Sequence, residues 1–120
     1  MTGLVLSSST LIGDPVVNHE GEKLGKIEEI MLDIERGTVA YAVIGFGGFL
    51  GMGEKLFAVP WAAISVDTTE KRVVIDVDRA NLADAPGFDP DHWPAFSDLE
   101  WASMVHSHYS VDPYWHEIPT

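Results

Sequence analysis

Thr38-Val39-Ala40-Tyr41-Ala42-Val43-Ile44 is the stretch that decides the fold. It sets β-branched and aromatic residues in one run with small residues between them, the composition of a strand. The run is apolar almost without a break, so it predicts a strand with both faces at least partly covered. A turn signal, Glu35-Arg36-Gly37, precedes it. A glycine-rich connection follows: Gly45-Phe46-Gly47-Gly48-Phe49-Leu50-Gly51-Met52-Gly53.

Upstream, Lys23 to Asp33 carries Leu24, Ile27 and Ile30 at a spacing that would suit one helical face. Gly25 weakens a helix, and Glu28-Glu29 is the slip in alternation that a β-bulge produces, so the segment is expected to be a strand. Pro15-Val16-Val17 predicts a short strand before a turn at Asn18 to Gly21. Downstream, Lys55 to Val59 predicts a strand stopped by Pro60, which has no N–H for a ladder. Ala62 to Val66, a turn at Asp67 to Glu70, and Arg72 to Val77 predict a hairpin. Five or six short strands without room for crossover helices predict a mainly β chain, an antiparallel small barrel or rolled sheet. An open sheet with the tail packed on one face is the alternative.

The chain divides into a loose leader over 1–10, the β module over 11–78 and a tail over 79–120. In the tail, Asp78 is placed to cap a helical turn, and Pro86, Pro90 and Pro94 predict an irregular path. Ser97-Asp98-Leu99-Glu100 matches a capping box, with Phe96 and Trp101 as the accompanying staple. A helix is therefore expected near 98–108, with Leu99, Ala102, Val105 and Tyr109 as its buried stripe.

The 120 residues include 7 Lys+Arg and 19 Asp+Glu, for a formal net charge of −12. Residues 1–79 hold twelve acids and all seven bases, net −5, and residues 80–120 hold seven acids and no Lys or Arg, net −7. With no basic cluster, nucleic acid and anionic membrane are not expected partners. The acidity fits either solubility or a docking surface for a basic partner. The absence of cysteine excludes disulfides, thiolate nucleophiles and cysteine metal sites. No apolar run approaches the ~18–20 residues that cross a bilayer, and Met1 to Ile12 lacks a basic leader region. A cytoplasmic location is expected.

Gly21-Glu22-Lys23-Leu24-Gly25-Lys26-Ile27, Gly37-Thr38-Val39-Ala40-Tyr41-Ala42-Val43, and Phe46-Gly47-Gly48-Phe49-Leu50-Gly51 through Val59-Pro60-Trp61 occur in that order. On these motifs residues 13 to 77 resemble the PRC-barrel family, known from the photosynthetic reaction centre H subunit and a ribosome maturation factor. The order and spacing look like free-standing bacterial members. The resemblance implies a small PRC-like β-barrel acting as an assembly or adaptor module, with no catalytic site to carry over.

The candidate chemistry is thin. The glycine-rich connection lacks the third glycine of a dinucleotide fingerprint and leads into a strand, so it offers phosphate no helix N-terminus. Its Phe49, Leu50 and Met52 are expected to be buried, either plugging the barrel or against a second chain. Adjacent acids such as Glu28-Glu29 point to opposite strand faces and form no dyad. Trp93, Trp101 and Trp115, with Phe88, Phe96, Tyr109 and Tyr114, load the acidic tail heavily enough to predict docking on its own barrel or a neighbour's; ligand stacking is the alternative.

The expected function is a non-catalytic interaction module, without cofactor, that self-associates as a homodimer. Phe49, Leu50, Met52, Trp101 and Tyr109 are the expected contacts. The alternative is a small-molecule or divalent-metal-binding regulator using His92, His106, His108 and His116. Against it, His106 and His108 are two apart and diverge on a helix.

Overall fold

The computed structural model describes residues 5–46 and 55–116. One mixed sheet of seven strands organises them: β1 (Pro15–Val17), β2 (Lys23–Asp33), β3 (Thr38–Phe46), β4 (Lys55–Pro60), β5 (Ile64–Asp67), β6 (Arg72–Ile75) and β7 (Gly87–Phe88). Their order is β5-β6-β1-β2-β3-β4-β7. Among the described residues there are also three short helices, α1 (Ser8–Leu11), α2 (Arg79–Ala83) and α3 (Leu99–His108), and 3₁₀ turns at Trp61–Ala63 and Tyr114–His116.

The chain is mainly β, but the expected closed barrel of five or six antiparallel strands is not what forms. The outermost strands, β5 and β7, do not pair with each other among the described residues. Closure requires end strands that bond along their length. Strand β7 pairs with β4 only at Leu56↔Phe88 and Phe57↔Gly87. It then meets Asp89-Pro90, and Pro90 has no N–H to extend a ladder. Pairing is also not wholly antiparallel, because β1 and β6, far apart in sequence, run parallel through Val16↔Val73 and Val17↔Val74.

The three-residue spacing of Leu24, Ile27 and Ile30 is reconciled with a strand by irregular pairing. Val16 pairs with Gly25 and Val17 with Lys23, which leaves Leu24 as the extra residue. The register slips again between Ile27 and Glu29, at Glu28. Each bulge inserts one residue and restores the face that an odd spacing would flip. Leu24, Ile27 and Ile30 accordingly all pack into one core, with Ala42, Ile44, Phe57, Val59, Val73, Ile75 and Leu82.

The other face explains the uninterrupted apolarity of β3. Tyr41 and Val43 point away from that first core into a second one, with Leu56 and Ala58 of β4, Phe88 of β7 and Val105 of α3. A further slip, Met31↔Tyr41 followed by Leu32↔Val39, makes Ala40 the extra residue and brings it into the same cluster. The tail thus docks on its own sheet, and Tyr109 touches both cores.

Helix α2 is capped as expected, the Asn81 N–H donating to Asp78 Oδ1 at 2.7 Å. Helix α3 is capped one residue later than Ser97: Asp98 Oδ1 accepts from the Glu100 and Trp101 N–H groups at 3.0 and 3.4 Å. A carboxylate adds its charge to the positive end of the helix, which a serine cannot do. Phe96 and Trp101 still meet edge to face, ring centroids 5.0 Å apart. The buried side of α3 is Ala102, Val105 and His106, whereas Leu99 is exposed. Leu99 keeps its helical spacing from Ala102 but borders an open groove instead of the sheet.

Candidate interaction surface

Tyr41 is the hub beneath the tail. Its ring lies 5.7 Å from those of both Phe96 and Trp101, 5.5 Å from His106 and 6.2 Å from Tyr114. These tilted and edge-on arrangements suit the quadrupoles of the rings. The Tyr41 hydroxyl is buried and has no hydrogen-bond partner among the described residues. Burial pushes its phenol well above the ordinary value.

His106 is 1% exposed, and its two ring nitrogens are assigned by their neighbours. Nδ1 lies 2.8 Å from the Ala102 carbonyl oxygen, which only accepts, so Nδ1 carries the proton. Nε2 faces the Tyr114 N–H at 3.4 Å and accepts from it. The ring is thereby a structural tie between α3 and the segment that follows. The phenol of Tyr114 in turn donates to Asp33 Oδ2 at 2.6 Å. Arg36 holds the same oxygen at 3.2 Å and lies over the Tyr114 ring.

Between the β2–β3 turn, the start of α3 and Tyr114-Trp115 runs a groove of about 460 Å³. Its floor includes Ala40, Tyr41, Phe96 and Ala102. Leu32, Ile34 and Leu99 also line it while exposed by 59%, 81% and 63%. Three large apolar residues left in water around one groove form a patch of the kind that proteins use for contact. Sequence reasoning missed Leu32 and Ile34. The available signal was their position: Leu32 is next to last in β2 and Ile34 lies in the turn that follows, at the far end of the β2–β3 hairpin.

Of the residues expected to form contacts, Phe49, Leu50 and Met52 lie outside the described residues. Trp101 and Tyr109 are half-buried against the chain's own cores. Among the described residues the tail histidines do not converge. His92 is exposed, 4.0 Å from Asp89; His108 Nε2 sits 3.2 Å from the Asn81 carbonyl oxygen; His106 is inside. The side chain of His116 lies outside the described set. Among the described residues no group of three or more His, Asp or Glu is placed to hold a metal ion. Glu28 of the adjacent acid pair faces Lys26 at 3.5 Å. Trp93 is partly exposed, donating from Nε1 to the Pro90 carbonyl oxygen at 2.7 Å and resting 5.1 Å from the Phe88 ring. No helix among the described residues is long and apolar enough to cross a membrane.

The model of the PRC-barrel domain family matches residues 5–82, well over half of the chain. This chain belongs to that family. A search of curated proteins returns no match. Among solved structures, the chain is similar to the 16S ribosomal RNA processing protein RimM from Pseudomonas aeruginosa, at 20% identity and a TM-score of 0.41. The alignment covers 62% of this chain and 45% of RimM, so this PRC-barrel chain corresponds to less than half of that protein.

Proposed function

We propose that this PRC-barrel protein is a non-catalytic interaction module that holds other protein chains and pairs with a second copy of itself. The observation that supports the reading is the gathering of Leu32, Ile34 and Leu99, all exposed, around one groove. Family membership adds to it, since the resemblance implies an assembly or adaptor role. Self-association rests on the sequence of the glycine-rich connection, where Phe49, Leu50 and Met52 stand among glycines too small to cover them.

Light scattering across a concentration series tests the pairing. The expected mass at tens of micromolar is that of two chains, and Phe49→Ser with Leu50→Ser lowers it toward one. A mass of one chain throughout would remove the dimer from the reading. An unchanged dimer in the double variant would move its contact elsewhere.

A further inference from the structure

The groove between the β2–β3 turn and α3 combines two features that select its occupant. Leu32, Ile34 and Leu99 offer apolar anchorage. The charge around them is negative. Glu35 lines the groove, and the two sequence neighbours of Leu99 are also acids: Asp98, the N-cap of α3, and Glu100, in its first turn. None of these three acids makes an ion pair with a base among the described residues. Among the described residues Arg36 is the one cation in the lining, and Asp33 already engages it. We infer that the groove binds an amphipathic segment of another protein, with apolar side chains seated on Leu32, Ile34 and Leu99 and Lys or Arg residues facing Glu35, Asp98 and Glu100. The inference rests on the reading of the chain as an interaction module and names the chemistry of its partner.

A second copy of this chain is the wrong occupant on charge. Each copy carries −12, and 80–120, which includes α3, carries no Lys or Arg at all. Bringing two such acidic rims together costs repulsion where a basic segment gains attraction and a faster encounter. The apolar contacts supply the affinity and the acids supply the selectivity.

The probe is a synthetic peptide of leucine and lysine in an amphipathic helical repeat, titrated into the full chain by fluorescence anisotropy at moderate salt. One matched peptide replaces every leucine by serine, and another replaces every lysine by glutamate. Both are expected to bind at least roughly tenfold more weakly: the first loses aliphatic side chains, one of which is worth about that factor or more when well buried, and the second sets like charge against the acids. Ile34→Ser and Leu99→Ser, both at exposed positions that leave the cores intact, are expected to weaken the leucine–lysine peptide by a similar factor. Glu20→Gln and Asp76→Asn, on a different surface, are expected to change nothing.

Equal binding of the leucine–lysine peptide to wild type and Ile34→Ser would overturn the inference, as would equal losses in the remote acid variants. Light scattering on the same samples separates the remaining outcomes. If Ile34→Ser converts a dimer to a monomer, the groove is a self-contact and the inference fails while the module reading stands. A monomer that binds none of the peptides sinks both.

Discussion

The phenol of Tyr114 hydrogen-bonds to Asp33 at 2.6 Å across 81 positions of sequence, fastening the end of the tail to the β2–β3 turn. That bond, then the Arg36 N–H and side chain, holds the Asp33 carboxyl below its ordinary value of 3.8. A carboxyl lowered in the folded state stabilises the fold above its unfolded value, and the contribution is lost as pH falls through the lower folded one. Asp67 behaves alike, lowered first by the Glu70 N–H and also by Arg72. Stability is therefore expected to decline on acidification below about pH 4. In Tyr114→Phe the Tm at neutral pH should drop by a few degrees and the acid slope should become shallower, though not flat, because Asp67 still contributes. Thermal melts of both proteins from pH 6 down to about pH 2 check this. Identical slopes would mean that the Tyr114–Asp33 bond carries no weight in solution.

The alkaline limb has the opposite sign. All three tyrosines of the chain are pushed upward. Burial does this for Tyr41 and Tyr109, and for Tyr114 burial acts first, then the bond to Asp33 and its charge, raising the phenol to about 12. A group raised on folding stabilises the fold below its unfolded value, here 10.0, and that stability is lost as pH climbs through the folded one. Phenolate absorbance should stay low in the folded protein past the ordinary value. It should then rise together with loss of the far-ultraviolet dichroism of the sheet. A tyrosine titrating near 10 with the fold intact would contradict the packing around Tyr41.

Much of the sheet was legible in the sequence because β3 declares itself twice, by β-branched composition and by the absence of a polar face. The bulge at Glu28 was legible too, as a break in alternation. Closure was not, because it depends on whether two short end strands meet, and Gly87-Phe88 carries no strand pattern of its own. The site was less legible than the fold. Ser97 and Asp98 both have capping side chains, and only the geometry of the turn chooses between them. That choice leaves Leu99 at the first helical position, and its exposure depends on where the sheet ends. The burial of His106 was not legible, since nothing local marks a residue whose partners are Ala102 and the N–H of Tyr114.

The Tyr41 hydroxyl, without a hydrogen-bond partner among the described residues, predicts an uncommon result for a buried tyrosine. Removing an unsatisfied buried group relieves its desolvation cost, about 1–3 kcal/mol at most. Tyr41→Phe keeps the ring that contacts Phe96, Trp101, His106 and Tyr114. It is expected to leave stability unchanged or raise it by up to about 1 kcal/mol. Tyr41→Ala, which empties the hub, should cost about 3–5 kcal/mol. Urea unfolding measures both. A clear loss in Tyr41→Phe would reveal a hydrogen bond to that hydroxyl.

Gly25 gives the sharpest test of the sheet. Its backbone has φ +153°, and a Cβ there would run into the Gly45 carbonyl oxygen on β3 while meeting the Gly45 carbonyl carbon at 3.1 Å and Ile44 Cγ2 at 3.2 Å. Two of these atoms are backbone, so relief requires β2 and β3 to part where Lys26 pairs with Gly45. Gly21 makes the control: its φ is +80°, and a Cβ there meets nothing within 4 Å. Gly21→Ala should cost about 1–2 kcal/mol, from the left-handed backbone alone. Gly25→Ala should add an overlap penalty of about 1–3 kcal/mol to a comparable backbone term. Urea denaturation of the two variants compares them under identical conditions. Equal losses would show that β2 and β3 lie further apart at Gly25 than this register requires.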